Sequence, residues 1–316
     1  MRRESCWPCV PGRDELKVTW ERRCDRFGRR LAVLGALLVA VGWFLAGEVG
    51  AAAAPPPETE RVFREGERLV YDVTWMGIKA GQATLEVRGV VQMNGQEAYH
   101  LVTTAQSAPY ISAFYRIDDR NESYLGVNPQ RALRFEKHLR EGRYRHSSFT
   151  EYDHDRRQVF YRYLDFTPVP KGISRLEEAE KYGKYNYEEY PLSPGALDEL
   201  SVLYYVRGLS LVEGRVVTAK VFASRKNWDL EVKVLGHETL DTVLGRRDTL
   251  IVEPLLKYEG IFQQKGRVIV WLTNDAERTP VLMKTEIKIG SIVSTLSRRE
   301  VGLAQADTQT PKPQVP

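Results

Sequence analysis

Along most of this chain apolar and polar residues alternate one by one. In Leu69-Val70-Tyr71-Asp72-Val73-Thr74-Trp75 the residues Leu69, Tyr71, Val73 and Trp75 fall on one side of an extended strand and Val70, Asp72 and Thr74 on the other. Met76 to Gly81 then turns, and Gln82 to Val91 runs back with Ala83, Leu85 and Val87 in step, which predicts an antiparallel hairpin. The same period predicts strands over 97–107, 115–125, 132–140, 144–153 and 158–164, each closed by a Gly, Asn or Asp turn. It resumes over 215–223, 229–236, 246–255, 266–273, 281–289 and 291–298. So many strands in succession predict an all-β, mainly antiparallel fold, built as a large curled sheet or half-barrel.

One segment breaks the alternation. In LDELSVLYYVRGLSL the residues Leu197, Leu200, Val202, Leu203, Tyr204, Val206 and Leu209 recur at helical spacing, with Pro194 and Asp198 as start signals and Gly208 or Gly214 as stops. A single helix between two groups of strands is expected to pack across the concave face of the sheet. Before it, Asp165 to Pro194 shows no steady period and reads as a long loop with a short charged helix near Ser174 to Tyr182.

The N-terminal stretch has a different logic. Arg22 to Arg30 carries five arginines against one acid, and Leu31 to Gly47 follows without a charge, then the alanines 51–54 and the prolines 55–57. A basic region, an apolar core and an Ala-x-Ala site make a secretory signal with cleavage after Ala53. The competing reading is an uncleaved anchor, because the apolar run approaches the ~20 residues that span a bilayer. Either way the arginines hold the N-terminal end in the cytoplasm and send the rest outward, to the periplasm. The expected organisation is a leader over 1–53, a Pro-rich linker over 54–62, one β-rich domain over 63–300 and a disordered tail over 301–316. Cys6-Trp7-Pro8-Cys9 has the spacing of a redox pair, but it has no room for a preceding core strand, and Cys6, Cys9 and Cys24 all precede the cleavage site. Taking the nine basic and six acidic residues of 1–53 from totals of 46 and 42 leaves 37 against 36, a body near neutrality with no electrostatic case for nucleic acid.

Three stretches resemble a family of exported bacterial proteins, the domain of unknown function 3108. They are GERLVYDVTWMGIKAGQATLEV, with Gly66, Glu67, Tyr71, Trp75, Gly77, Ala80 and Gly81; DELSVLYYVR, with Asp198, Ser201, Tyr204, Tyr205 and Arg207; and KGRVIVWLTNDAERTPVLMKTEIKIGSIVSTL, with Lys265, Gly266, Trp271, Asp275, Arg278, Pro280, Gly290 and Ser291. The resemblance implies an exported, mostly β domain over about Phe63 to Arg299 and no particular activity. More loosely, a curled sheet with a helix in its mouth looks like the lipoprotein carriers of the periplasm.

Chemistry is sparse. His138, His146 and His154 recur every eight residues but fall on successive strands and a hairpin tip, so they read as solvated rather than as metal ligands. Asp198 and Glu199 read as helix caps before they read as a catalytic pair, and Asp275 with Arg278 as an Asx turn or local ion pair. No metal, cofactor or catalytic set is expected. Aromatic residues carry more: Trp75, Tyr204 and Trp271 are expected either as core or as the lining of an apolar cavity whose polar ends include Arg207 and Lys265. These five are the candidate ligand site. The expected function is non-enzymatic binding of an apolar or amphipathic envelope ligand, a lipid or lipid-linked glycan. The alternative is an envelope scaffold that binds another protein through edge strands and charged loops, and an enzyme acting on glycans through scattered carboxylates ranks third. Contact with the membrane is expected only through the signal or an uncleaved anchor. N-terminal sequencing of protein from the envelope fraction is expected to start near Ala54, and detection of Cys24 in that material would overturn cleavage.

Overall fold

The structure, a computed structural model, describes residues 64–165, 186–258, 261–262, 266–287 and 289–302. The leader, its three cysteines, the linker, the helix expected at Ser174 to Tyr182, Lys265 and nearly all of the expected tail lie outside the described residues.

Eight strands form the first half: β1 (Glu67–Trp75), β2 (Ile78–Met93), β3 (Gln96–Ser107), β4 (Asp118–Gly126), β5 (Ala132–Glu141), β6 (Tyr144–Asp153), β7 (Gln158–Asp165) and β8 (Asn186–Pro191). The second half holds β9 (Val216–Ala223), β10 (Lys226–Thr242), β11 (Gly245–Tyr258), β12 (Ile261–Phe262), β13 (Val268–Thr273), β14 (Pro280–Glu286) and β15 (Ser291–Val301). Helix α1 (Pro109–Ser112) is a single turn between β3 and β4, and α2 (Ser201–Arg207) lies between β8 and β9. The strands join in the order β8-β7-β6-β5-β4-β3-β2-β1-β15-β14-β13-β11-β10-β9, and β12 pairs β11. Every ladder is antiparallel. The first strand pairs with the last, Glu67 opposite Val301, so the chain's two halves are two meanders joined back to back.

The sheet curls but does not close. Its free edges, β8 and β9, meet through side chains and isolated bonds instead of a ladder. The ring of Phe222 on β9 meets Tyr190 on β8 at 5.9 Å and Tyr152 at 6.1 Å. Asn227 Nδ2 donates to the Pro191 carbonyl at 2.7 Å, the Ser193 N–H donates to Asn227 Oδ1 at 2.8 Å, and Arg225 reaches Glu188 at 3.3 Å. A lone parallel bridge joins Leu197 to Val221.

Local chemistry explains the turns. Met76 and Gly77 both have positive φ, 50° and 81°, the two-residue hairpin geometry whose twist suits antiparallel strands. The turn is therefore shorter than its sequence suggested, and β2 starts at Ile78. Gly81 is fixed by proximity: a Cβ there would stand 2.1 Å from the Gln106 carbonyl oxygen on β3. Bulges at Val87/Gly89 in β2 and Val234/Gly236 in β10 bend the two longest strands, which assists the curl.

The expected strands match the structure closely, with three corrections. Tyr115 and Arg116 precede β4, because the chain first makes α1 and returns at Ile117. The stretch read as a loop up to Pro194 contains β8, a charged edge strand whose Glu188 and Glu189 hide the usual strand composition. The helix spans Ser201–Arg207 only, since Ala196 and Leu197 hydrogen-bond outward to Ala132, Lys220 and Phe222.

As expected, α2 lies across the concave face. Leu200, Val202, Leu203, Tyr204 and Val206 share one buried cluster with Leu69 and Tyr71 of β1, Leu101 of β3, Leu230 of β10, Val252 of β11 and Leu272 of β13. Its C-terminal end is pinned by charge. Arg207, 2% exposed, donates Nη1 to Glu67 Oε2 at 2.8 Å and Nη2 to Glu67 Oε1 at 3.1 Å, and Nη2 also reaches the Glu277 carbonyl at 3.0 Å. Arg299 on β15 approaches Glu67 at 3.3 Å and bonds Glu277 in turn. One guanidinium thus ties the helix to the first strand and to the β13–β14 turn, and Glu67 adds the last strand. Removing Arg207 leaves the buried Glu67 carboxylate with only the longer Arg299 contact, so Arg207→Met is expected to cost about 3–5 kcal/mol in urea denaturation, and Glu67→Leu/Arg207→Met to recover much of that loss. A single variant within about 0.5 kcal/mol of the parent would show that the pair does not hold the helix.

Candidate functional site

The N-terminal end of α2 is built differently from its C-terminal end. Asp198 Oδ1 accepts the backbone N–H groups of Leu200 and Ser201, each at 2.8 Å, as a residue ahead of a helix does when it caps the free donors. Its other oxygen accepts the Ser123 hydroxyl of β4 at 2.6 Å. Burial pushes the Asp198 carboxyl up against the pull of these bonds. Glu199 points the other way and meets the Lys137 ammonium of β5 at 2.6 Å.

Two hollows flank this end of the helix. The first contains about 720 Å³ of space between atoms, counting the part that opens to solvent, and lies between α2 and strands β9, β10, β11 and β13. Every residue lining it except Glu199 is apolar, with Val221, Leu230, Val252 and Val270 among them. The second, about 650 Å³ on the same measure, lies against β1 to β5 and is mixed: Leu85, Phe135 and Met283 beside Thr103 and Asn121. Glu199 and Leu203 line both, so these two side chains form the partition. Register explains the mixed wall, since Leu85, Thr103, Asn121 and Lys137 are successive cross-strand partners and form one row on the concave face. Thr103 donates its hydroxyl to the Thr84 carbonyl at 2.7 Å, and Asn121 is buried with its Oδ1 unpartnered.

Two residues along β4 and four along β5 from this row stand Asp119 and Glu141, both buried. Asp119 Oδ1 accepts the Arg140 N–H at 2.7 Å, while among the described residues Asp119 Oδ2 and Glu141 Oε1 have no donor other than a proton held between the two carboxyls. Two carboxyls so close to each other and so far from water favour a bound proton. Burial pushes both upward, and the charge of Asp119 pushes Glu141 further.

The five residues singled out in the sequence do not share one site. Tyr204 is 2% exposed, packs in the core and lines neither hollow, and Arg207 is committed to Glu67. Trp75 sits at the hairpin tip, 42% exposed, and donates Nε1 to the Ile289 carbonyl at 3.0 Å. Strand alternation turns Trp271 to the face opposite Val270 and Leu272, where its Nε1 bonds Glu238 at 2.7 Å. Lys265 lies outside the described residues. Large aromatic side chains were used where bulk was needed, in the core and on the outer face, whereas the hollows are walled by small aliphatic residues that make no signal of their own. The polar members, Thr103 and Asn121, with Lys137 next to them in the row, come together only once register aligns them.

The histidines stay apart but are half-buried rather than solvated: His138 faces Ser147, His146 stacks on Tyr144 and Tyr163, and His154 meets the Ala132 carbonyl. Asp275 forms the expected turn, accepting the N–H groups of Glu277 and Arg278 at 3.0 and 3.1 Å.

The acid pair sets a pH dependence. Its folded pKa values lie above the unfolded ones, so the folded chain keeps a proton that the unfolded chain has lost, and stability falls as pH rises above the ordinary carboxylate range. Glu141→Gln is expected to flatten the decline between about pH 5 and about pH 8 and to exceed the parent's stability at the upper end. Parallel urea midpoints for the two proteins over that range would overturn the shared proton.

Among solved structures, the chain is similar to a beta-barrel-like protein of domain of unknown function DUF1849 from Brucella abortus, at 11% identity and a TM-score of 0.50 over 75% of this chain and 98% of that one. That likeness shows the fold alone. A candidate lipoprotein from Parabacteroides distasonis aligns over 77% and 98% at 9% identity, with a TM-score of 0.31. No curated protein matches the chain. The family model described as "Protein of unknown function (DUF3108)" matches residues 70–297, a span that takes in most of the hairpin, the whole helix and most of the late strands, and the chain belongs to the DUF3108 family.

Proposed function

We propose that this protein binds an apolar or amphipathic ligand of the cell envelope, a lipid or lipid-linked molecule, inside the curled sheet and without chemical conversion of it. The observation that carries the reading is the first hollow: a space walled by aliphatic side chains from four strands and a helix, with Glu199 as its single polar contact. Interiors pack to crystal-like density, and unfilled apolar space forfeits contacts that its lining would otherwise make. An acyl chain restores them. The mixed second hollow, separated by two side chains, supplies a place for a polar group beside the apolar one. The same reading puts the chain in the periplasm, on the strength of the basic, apolar and small-residue order of residues 22–54.

Native mass spectrometry of the protein released gently from the envelope is expected to show a co-purifying lipid-sized mass. Val270→Phe and Val232→Phe, each pushing a ring into the first hollow, are expected to reduce that retained mass and to weaken binding of the apolar dye N-phenylnaphthylamine by about tenfold or more, a change of ~1.4 kcal/mol. A parent protein that carries no lipid, does not bind the dye and retains a protein partner would overturn the reading in favour of a scaffold.

A further inference from the structure

We propose that the ligand's headgroup is uncharged and donates hydrogen bonds, a hydroxyl or amide in place of a carboxylate or phosphate, and that it sits against Asn121 and Thr103. This deepens the binding reading above and rests on it. Asn121 lines the mixed hollow, is 7% exposed, and holds a side-chain oxygen that no donor among the described residues reaches. Beside it, Thr103 has already given its hydroxyl proton to the Thr84 carbonyl, so its oxygen faces the hollow as an acceptor only. The Asn121 and Thr103 oxygens therefore offer lone pairs and want protons. A hydroxyl or an amide N–H supplies them, and a carboxylate or phosphate ester has none to give.

Charge points the same way. On the concave face around this wall, among the described residues, Asp198, Glu199 and the proton-holding pair Asp119 and Glu141 stand against Lys137. The Lys137 ammonium is already held by Glu199 at 2.6 Å. An anionic headgroup would have to shed its water, meet acceptors and break that ion pair to find a counter-charge. A neutral donor meets none of these costs. Because Leu203 and Glu199 line both hollows, a chain lodged on the aliphatic side places its headgroup beside Asn121 without a long spacer.

The test uses the full chain loaded with N-phenylnaphthylamine and compares displacement by monodecanoyl glycerol and by decanoate, which share a hydrocarbon length and differ in headgroup. Monodecanoyl glycerol is expected to displace the dye at about a tenth of the concentration that decanoate needs. Asn121→Leu, with the same number of heavy atoms and the same branching, is expected to erase the preference, each displacement being referred to the variant's own affinity for the dye. Glu199→Gln removes a negative charge and releases Lys137, and it is expected to improve decanoate relative to the glycerol ester, narrowing the gap between the two. Dye binding with equal displacement by the two, or a preference that survives in both variants, overturns the headgroup assignment and leaves the binding reading standing. A chain that takes up neither dye nor ester overturns both.

Discussion

A guanidinium held in two hydrogen bonds by a carboxylate, both out of reach of water, fixes the geometry on which the rest of this fold depends. Arg207 and Glu67 come from the end of the helix and the start of the first strand, 140 residues apart in the chain. Neither charge is tolerable there alone. Their pairing therefore does more than join two points, because Arg299 from the last strand and the backbone of Glu277 share the same small volume. At that one place the helix, the chain's first and last strands, which lie side by side in the middle of the sheet, and the β13–β14 turn are held together. The helix is anchored at its C-terminal end by charge and at its N-terminal end by Asp198 and Ser123, and it spans the concave face between them.

That anchoring leaves the interior of two kinds. Around Tyr204 and Tyr71 the helix and sheet interlock, with the Tyr71 hydroxyl donating to the Pro280 carbonyl at 2.8 Å. Around Leu203 the helix stands off from strands whose inward side chains are valine and leucine, and space remains on both sides. The concave face is thus filled beside Tyr204 and Arg207 and hollow beside Leu203. The polar groups follow the same division: the buried ion pair belongs to the filled part, and the Asn121 side-chain oxygen to the hollow one.

Much of the fold was legible in the sequence because an antiparallel sheet with one buried face imposes a period of two, and a helix lying on it imposes another. Leu69, Tyr71 and Val73 announced their strand, and the run from Val202 to Val206 announced the helix. Edge strand β8 was not legible, since an edge with two glutamates has no buried face to pattern. The site was less legible still. Aromatic residues draw attention in a sequence, yet Trp75 caps a hairpin and Trp271 bonds a glutamate on the outside, while the walls of the hollows are valines indistinguishable from any other core valine. Thr103, Asn121 and Lys137 lie on three different strands, and only the strand register brings them into one row.

The way the sheet ends bears on how its interior is reached. In a closed barrel the radius is set by strand number and stagger, and enlarging it means breaking a continuous ladder. Here the two edges meet at Phe222, Asn227 and Arg225 through rings, one amide and one ion pair. Parting them sacrifices a handful of separate contacts and no ladder. The shell is thus a clip more than a can: side chains and isolated bonds close it along one seam, and backbone ladders hold it everywhere else.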